Sequence, residues 1–253
     1  MPNKMSADRR KILFLNPIGT PVFDEIMLRY LNEHKDERTI VDVASLRSGP
    51  HHLEYYSYDV SVSPQILKEV IKAERSGYDA LIIGCFYDPA LREAREVSDI
   101  VVAGPAESSL LIASLLGDKF SIIVGKRKWI PLMEENVSKY GLKSRLVSLE
   151  PIGLGVHDLH RDERDTKERI IQAARKAIDK GAEVIILGCT VFLGFYKELQ
   201  SMINVPVVDP VVASLKIAEL KVDLKRKSGW SYSRIGLYEM PPKSEIEAWN
   251  LFE

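Results

Sequence analysis

Two stretches of the chain share one pattern, an apolar run that ends in Gly-Cys. They are DALIIGC, residues 79–85, and AEVIILGC, residues 182–189, and they hold Cys85 and Cys189, the only two cysteines among 253 residues. A short run rich in Ile, Leu and Val that is bounded by turn-forming residues is typical of a buried strand. The chain must therefore fold so that two similar strands each end in a thiol.

Strand-like and helix-like stretches alternate along the whole chain, which favours βαβ units and a parallel sheet. For example, SPQILKEVIKAERSG, residues 63–77, has the serine-proline start and the glycine stop of a helix. The second half repeats the first at a nearly constant offset, because Cys85 matches Cys189 and Lys11 of KILFL matches Lys119 of KFSII. Any α/β protein repeats strand and helix about this often, but the cysteine pair adds a match that periodicity does not demand. We predict an α/β fold of two similar lobes, with residues 11–117 plus 209–226 as lobe 1, residues 118–208 as lobe 2 and residues 227–253 as a C-terminal arm.

The composition excludes several classes of protein. Hydrophobic residues make up 45% and charged residues 28% of the chain, as in an ordinary globular protein. A net charge of −1 gives no field for nucleic acid or an anionic membrane, and no apolar run approaches the roughly 18 residues of a membrane span. The N-terminal MPNKMSADRRKILFLNP lacks the core of a signal peptide, so we expect a short polar leader. Two cysteines make no disulfide framework, which favours a cytoplasmic location.

Both cysteines are predicted to lie just before a helix. DPALREAREVSD, residues 88–99, has Asp88 as a candidate N-cap and Pro89 in the first turn, and Cys189 is followed by Thr190 as a possible cap. Backbone N–H groups and the positive end of a helix dipole would favour the thiolate form. Asp88 could also set the ionisation of Cys85. The alternative is that both thiols are small buried apolar groups.

Two thiols that face each other suit racemisation at a carbon acid. One thiolate removes a proton from a stereogenic carbon, and the opposite thiol donates a proton to the other face. The carbanion has to be stabilised as an enolate by donors aimed at the neighbouring carbonyl oxygen. We expect this site in the cleft between the lobes, because open parallel sheets bind ligands at the carboxyl ends of their strands. Candidate donors lie in NPIGT (16–20), GCF (84–86), AGPAES (103–108) and GCT (188–190).

Several motifs between residues 11 and 220 carry a family resemblance. They are LNP after the first strand, GCFYDPALREARE, GPAESS, KFSIIVG, AEVIILGCT and VPVVDPVVASLKIAE. On these motifs the chain resembles the aspartate/glutamate/hydantoin racemase superfamily, and most closely its hydantoin racemase branch. The resemblance implies two pseudo-symmetric, flavodoxin-like lobes. It also implies cofactor-independent, two-base racemisation of a small-molecule substrate by Cys85 and Cys189, and we expect a homo-oligomer.

The resemblance also implies which residues bind the substrate. Asn16 stands where the family has its substrate-binding asparagine, and the backbone amides of Phe86 and Thr190 stand where the family contacts the ligand. The other predicted substrate-binding residues lie at neighbouring strand ends and are Pro17, Pro105, Gly125 and Lys126.

The chain departs from the family pattern at two places. Ile18-Gly19-Thr20 follow Asn16-Pro17 in place of the usual Asn-Thr, and Val124-Gly125 replace two threonines that help to hold the ligand. The basic loop GKRK, residues 125–128, could bind an anionic group of the substrate or be a solvated turn. Substrate identity therefore stays open at this stage.

A hydantoin or allantoin is the favoured substrate, because its acidic C–H lies next to a ring carbonyl and no carboxylate has to become a dianion. An aspartate/glutamate-type racemase, a decarboxylase or isomerase of the superfamily, and a non-catalytic small-molecule-binding protein remain alternatives. His157 and His160 lie near carboxylates, but no third ligand at diagnostic spacing follows, so no metal is expected. His51 and His52 lie in a loop that could reach the cleft.

Overall fold

The computed structural model describes residues 9–252 and contains two separate four-stranded sheets. The first eight residues of the predicted polar leader lie outside the described range. Every strand pairing is parallel, in the order β2-β1-β3-β4 in the first sheet and β6-β5-β7-β8 in the second. The strands are β1 (Arg10–Asn16), β2 (Thr39–Ser45), β3 (Ala80–Ile83), β4 (Val101–Ala103), β5 (Phe120–Val124), β6 (Leu146–Pro151), β7 (Val184–Leu187) and β8 (Val207–Val208).

Helices connect the strands, as parallel pairing requires. They are α1 (Asp24–His34), α2 (Tyr56–Arg75), α3 (Leu91–Glu96), α4 (Pro105–Leu116), α5 (Ile130–Lys139), α6 (Glu163–Asp179), α7 (Phe195–Ile203), α8 (Pro210–Ser228) and α9 (Lys243–Ala248). The shared strand order is that of a flavodoxin-like sheet without its fifth strand. The prediction of an α/β fold with two similar lobes is therefore confirmed.

The chain divides into two compact units, each with one sheet. Of the described residues, the first unit comprises 9–84, 89–104 and 215–252, and the second comprises 85–88 and 105–214. The core of each unit is its pair of central strands. All four residues of β3 and all four of β7 are buried, which explains their unbroken apolar runs. The boundaries of the predicted lobes were placed by the repeat in the sequence, whereas the boundaries of these units reflect which residues contact each other.

Helix α2 begins earlier than the sequence predicts. It starts at Tyr56 rather than at Ser63, and Pro64 lies inside it. Val62 and Ile66, four positions apart on one face, are both fully buried, so packing carries the helix through the proline. The serine-proline pair is therefore not a helix start here, because burial of that face outweighs one lost backbone hydrogen bond. Within residues 9–252, none of the helices is long and apolar enough to cross a membrane.

The C-terminal arm covers the outer edge of β4, the last strand of the first sheet. The hydroxyl of Tyr232 accepts a hydrogen bond from the Val102 N–H at 2.7 Å and donates one to the Val102 carbonyl at 3.1 Å. The buried Arg95 guanidinium donates to the same carbonyl and to the Tyr238 hydroxyl. Arg234 donates to the Arg95 carbonyl. These bonds satisfy backbone groups that an exposed edge would offer to another chain.

Replacing Tyr232 with phenylalanine should destabilise the protein by about 1–3 kcal/mol, because the buried Val102 N–H loses its acceptor. Urea unfolding monitored by circular dichroism measures the loss. Tyr238→Phe is the matched control, since its hydroxyl only accepts the 3.2 Å bond from Arg95. Equal stability of the two variants would contradict this role of the arm.

Candidate active site

Each cysteine lies two residues beyond a buried central strand. Cys85 follows β3 and Cys189 follows β7, and neither forms a disulfide. Cys189 is buried and Cys85 is partly exposed. Both thiols belong to the second compact unit, together with the predicted substrate-binding residues listed here: Phe86, Pro105, Gly125, Lys126 and Thr190. The prediction that each cysteine follows a strand is confirmed.

The glycine before each cysteine is required by close packing. The N–H of Gly84 donates to the Leu15 carbonyl at 2.8 Å, and that of Gly188 donates to the Ile123 carbonyl at the same distance. A Cβ at Gly84 would overlap the Phe14 ring, and one at Gly188 would lie 2.6 Å from the Ile123 oxygen. Only glycine lets the strand end pass this close to its neighbour. The Gly-Cys pair thus fixes where each thiol leaves its sheet.

Neither cysteine stands at the start of the helix that follows it, so that prediction is wrong. Helix α3 begins at Leu91 and α7 at Phe195, each six residues after its cysteine. We call residues 84–90 the Cys85 loop and residues 188–194 the Cys189 loop. Each loop first closes a turn in which the backbone three residues on donates to the cysteine carbonyl, and each ends in a left-handed residue. These turns take up the residues that the sequence assigned to the first helical turn.

Asp88 caps a helix, but not the one predicted. Its φ of 52° is left-handed, and the N-cap of α3 is Ala90. The carboxylate accepts hydrogen bonds from the N–H groups of Ala106 at 2.9 Å and Glu107 at 2.8 Å, at the start of α4. The Tyr140 hydroxyl donates to it at 2.6 Å. Thr190 does not cap α7 either, because the N-cap there is Gly194 and no side chain caps that end.

Burial raises the pKa of Asp88 to about 6, while the bonds from Tyr140, Glu107 and Ala106 oppose the rise and the charge of Glu107 adds to it. A carboxyl whose pKa is higher in the folded state contributes stability below its unfolded pKa and loses it as pH rises through the folded value. Ionising Asp88 in the folded protein therefore costs free energy between about pH 4 and pH 6. At neutral pH the group is an anion held by three donors.

The variant Asp88→Asn cannot ionise, so its stability relative to the original protein should rise with pH. We expect that difference to be about 2–3 kcal/mol more favourable at pH 7.5 than at pH 4, which corresponds to the shift from 3.8 to about 6. Urea unfolding at the two pH values measures it. A difference that does not vary with pH would contradict the raised pKa of Asp88.

Asn16 and Pro17 lie in the first unit at the end of β1, and both are buried. The Asn16 amide donates to Asp24 at 2.6 Å, and the Ser45 hydroxyl donates to the same oxygen at 2.6 Å. Asp24 lies in the first turn of α1 and so orients the asparagine side chain. The sequence alone did not identify Asp24 or Ser45 as partners of this position.

The end of β5 holds the basic loop. Gly125 is buried, and a Cβ there would lie 2.5 Å from both the Leu154 carbonyl oxygen and the Trp129 ring. Lys126 is half-buried, whereas Arg127 and Lys128 are exposed. Of the three basic residues, Lys126 is therefore the one partly withdrawn from solvent. Phe86 and Thr190 are buried, and Pro105 is the first residue of α4.

His160 and His52, two of the histidines considered as metal ligands or cleft residues, each contact aromatic rings. The His160 ring lies 2.9 Å from the Val191 carbonyl through Nε2 and stacks on Phe195. His52 lies against the rings of Tyr55 and Tyr58. Across residues 9–252, no group of three or more His, Cys, Asp or Glu side chains is arranged to hold a metal ion.

Comparisons with known proteins agree with this architecture. The family model described as Asp/Glu/Hydantoin racemase matches residues 12–218. Hydantoin racemase of Pseudomonas sp. (strain NS671) is 35% identical over 93% of both chains, and that of Paenarthrobacter aurescens is 32% identical over 93% of this chain and 99% of its own. The crystal structure of allantoin racemase from Pseudomonas fluorescens superposes with a TM-score of 0.85 at 26% identity, covering 91% of this chain and 97% of its own. The chain therefore belongs to the Asp/Glu/hydantoin racemase family, as its motifs predicted, and is a racemase, an enzyme of the isomerase class.

Proposed function

We propose that the protein racemises a hydantoin-like carbon acid, such as a 5-substituted hydantoin or allantoin, with Cys85 and Cys189 as its two bases. The observation that carries the proposal is the pair of equivalent Gly-Cys strand ends, each fixed by a glycine N–H to a neighbouring strand. If Cys85 and Cys189 only filled space in the core, nothing would require a cysteine at the equivalent strand end in both halves of the chain. The sequence identity of 35% and 32% to proteins named hydantoin racemase supports the choice of substrate.

In the proposed reaction one thiolate removes the proton on C5 of the ring. The electron pair of that C–H bond moves into the adjacent carbonyl and forms an enolate, and the thiol on the other face gives its proton to C5. The two sulfurs have then exchanged protonation states. Backbone amides after each cysteine, those of Phe86 and Thr190, are proposed to stabilise the enolate oxygen, and Asn16 is proposed to bind the ring. None of these steps requires a cofactor.

Lys126 favours a substrate that also carries an anionic group, because it is half-buried at the end of β5. A hydantoin with an acidic substituent and a free acidic amino acid both meet that description. The amino-acid alternative requires the proton to be removed from the carbon next to a carboxylate, which would then have to become a dianion, and this is the harder reaction. A decarboxylase or isomerase that uses the same thiols is the remaining enzyme alternative.

A screen of single enantiomers tests the substrate. Optical rotation is followed for 5-substituted hydantoins, with and without acidic substituents, for allantoin, and for aspartate and glutamate, without added cofactor and with a chelator present. We expect loss of rotation with hydantoins or allantoin only. Racemisation of aspartate or glutamate alone would overturn the proposed substrate. Binding without racemisation of any of these compounds would contradict the proposed reaction and would favour the decarboxylase, isomerase or non-catalytic alternatives.

We also propose that the protein forms a homo-oligomer and works in a reducing compartment such as the cytoplasm. Leu111, Leu115 and Leu116 are exposed along α4, and the relative exposure of Leu115 is 83%. Such a run of exposed leucines favours burial against another subunit. Thiols that exchange protons have to stay reduced, which supports the compartment. Light scattering measures the subunit number directly.

A further inference from the structure

The Cys85 loop and the Cys189 loop begin with the same Gly-Cys pair and close the same turn, but the third residue after the cysteine is anchored differently in each. Three positions after the cysteine, the backbone N–H donates to the cysteine carbonyl, at 3.0 Å from Asp88 and at 3.2 Å from Phe192. Both side chains are buried. Phe192 packs edge-on against Phe195, whereas Asp88 brings a carboxylate. At this position the Cys189 loop is held by aromatic packing, whereas the Cys85 loop is held by hydrogen bonds to a carboxylate. Elsewhere in the Cys189 loop, the His160 ring lies 2.9 Å from the Val191 carbonyl through Nε2.

The carboxylate at Asp88 accompanies the absence of a capping side chain directly before helix α4. Helix α8 follows β8 and is preceded by Asp209, whose carboxylate accepts from the N–H groups of Val211 at 2.9 Å and Val212 at 3.1 Å. Helix α4 follows β4 and is preceded by Gly104, which has no side chain to do this. Asp88 supplies the acceptors for α4 from the Cys85 loop. In the first repeat, the cap of the helix is thus also an anchor of the cysteine loop.

Helix α5 and Tyr140, the residue that follows its last turn, hold the same loop from a second direction. The Tyr140 hydroxyl donates to the Asp88 carboxylate, and the buried Asn136 amide donates to the Tyr87 carbonyl at 2.7 Å. Asp88 and Ala90 both have a φ of 52°, a conformation that is uncommon outside glycine. Such a conformation persists only where surrounding contacts impose it. The loop that presents Cys85 therefore depends on its anchors.

We propose that Asp88 is a positioning residue for Cys85, and that it holds this base through its bonds to α4 and Tyr140. The proposal rests on the two-base function proposed above. Because Phe192 replaces it in the Cys189 loop, loss of Asp88 should disturb one base and leave the other in place. Asp88 has no proton-transfer step of its own in this account.

The test measures exchange of the C5 hydrogen with solvent deuterium alongside inversion, for each enantiomer separately. Cys85→Ser first identifies the enantiomer that Cys189 deprotonates, because that enantiomer still exchanges its hydrogen without inverting. We expect Asp88→Asn to lower inversion about 10- to 100-fold and to show the same excess of exchange in the same enantiomer. Tyr140→Phe, which removes one donor to the Asp88 carboxylate, should lower inversion by about 2- to 10-fold.

Asp209→Asn is the matched control, because it changes a buried capping carboxylate of the equivalent helix that is not on a cysteine loop. It should keep the original ratio of exchange to inversion for both enantiomers. If Asp88→Asn loses exchange and inversion equally for both enantiomers, or loses neither, Asp88 has no selective role at Cys85. If Cys85→Ser itself racemises normally, the two-base function fails instead, so the two failures are distinguishable.

Discussion

Replacing Cys85 or Cys189 with serine is expected to lower racemisation in both directions by roughly 10²- to 10⁴-fold, the range that a positioned acid or base contributes. A serine hydroxyl keeps the size of the side chain but is a far weaker acid, so one half of the proton transfer is lost. Because inversion needs removal on one face and delivery on the other, either single change should stop it. Optical rotation with each pure enantiomer measures the loss.

The chain offers a clean control for this experiment. It has only two cysteines, so the double variant Cys85→Ser/Cys189→Ser contains no thiol at all. We expect the double variant to be only slightly slower than either single variant, because each thiol is useless for inversion without the other. Single variants that each keep about half of the original rate would contradict a two-base mechanism.

Replacing Gly188 with alanine is expected to lower racemisation by about 10²-fold and to destabilise the protein by about 1–3 kcal/mol. The added Cβ would lie 2.6 Å from the Ile123 carbonyl oxygen, a backbone atom that cannot move without moving β5. The end of β7 has to shift instead, and Cys189 shifts with it. Rate measurements and urea unfolding together separate the two effects.

Gly181→Ala is the matched control for that variant. Gly181 has a φ of 99° and no atom near its missing Cβ, so the substitution strains the backbone without touching a cysteine loop. It should lower stability and leave the rate per folded molecule unchanged. A Gly188→Ala variant that keeps full activity would show that the Gly-Cys strand end does not fix the thiol.

The fold was predictable because buried parallel strands leave continuous apolar runs. The runs that end at Gly84 and Gly188 are β3 and β7, and their repeat in the chain is a repeat of the sheet. The helix starts near the cysteines were not predictable from local signals. Asp88-Pro89 has the composition of a cap and a first turn, but the Asp88 carboxylate bonds to amides 18 and 19 positions further along the chain.

The contacts around the candidate site were less accessible from sequence than the thiols themselves. Tyr140 and Asn136 reach the Cys85 loop from 52 and 49 positions away, and nothing in their own spacing indicates a partner. One indirect signal pointed to the role of Asp88. Gly104, which precedes α4, has no side chain, so a cap for this helix has to come from elsewhere in the chain. The prediction that a helix starts at Ser63-Pro64 was wrong, because burial of Val62 and Ile66 outweighed the local preference of Pro64 for a helix start.

Racemisation in heavy water tests the two-base claim most directly. Each pure enantiomer of the best substrate is converted to a small extent near neutral pH, and the C5 hydrogen of remaining substrate and of product is analysed, with an enzyme-free control. With two bases, the product carries solvent deuterium from its first turnover while the remaining substrate keeps its hydrogen, in both directions. Product that retains the original hydrogen would show that a single group removes and returns the proton, and would contradict the account.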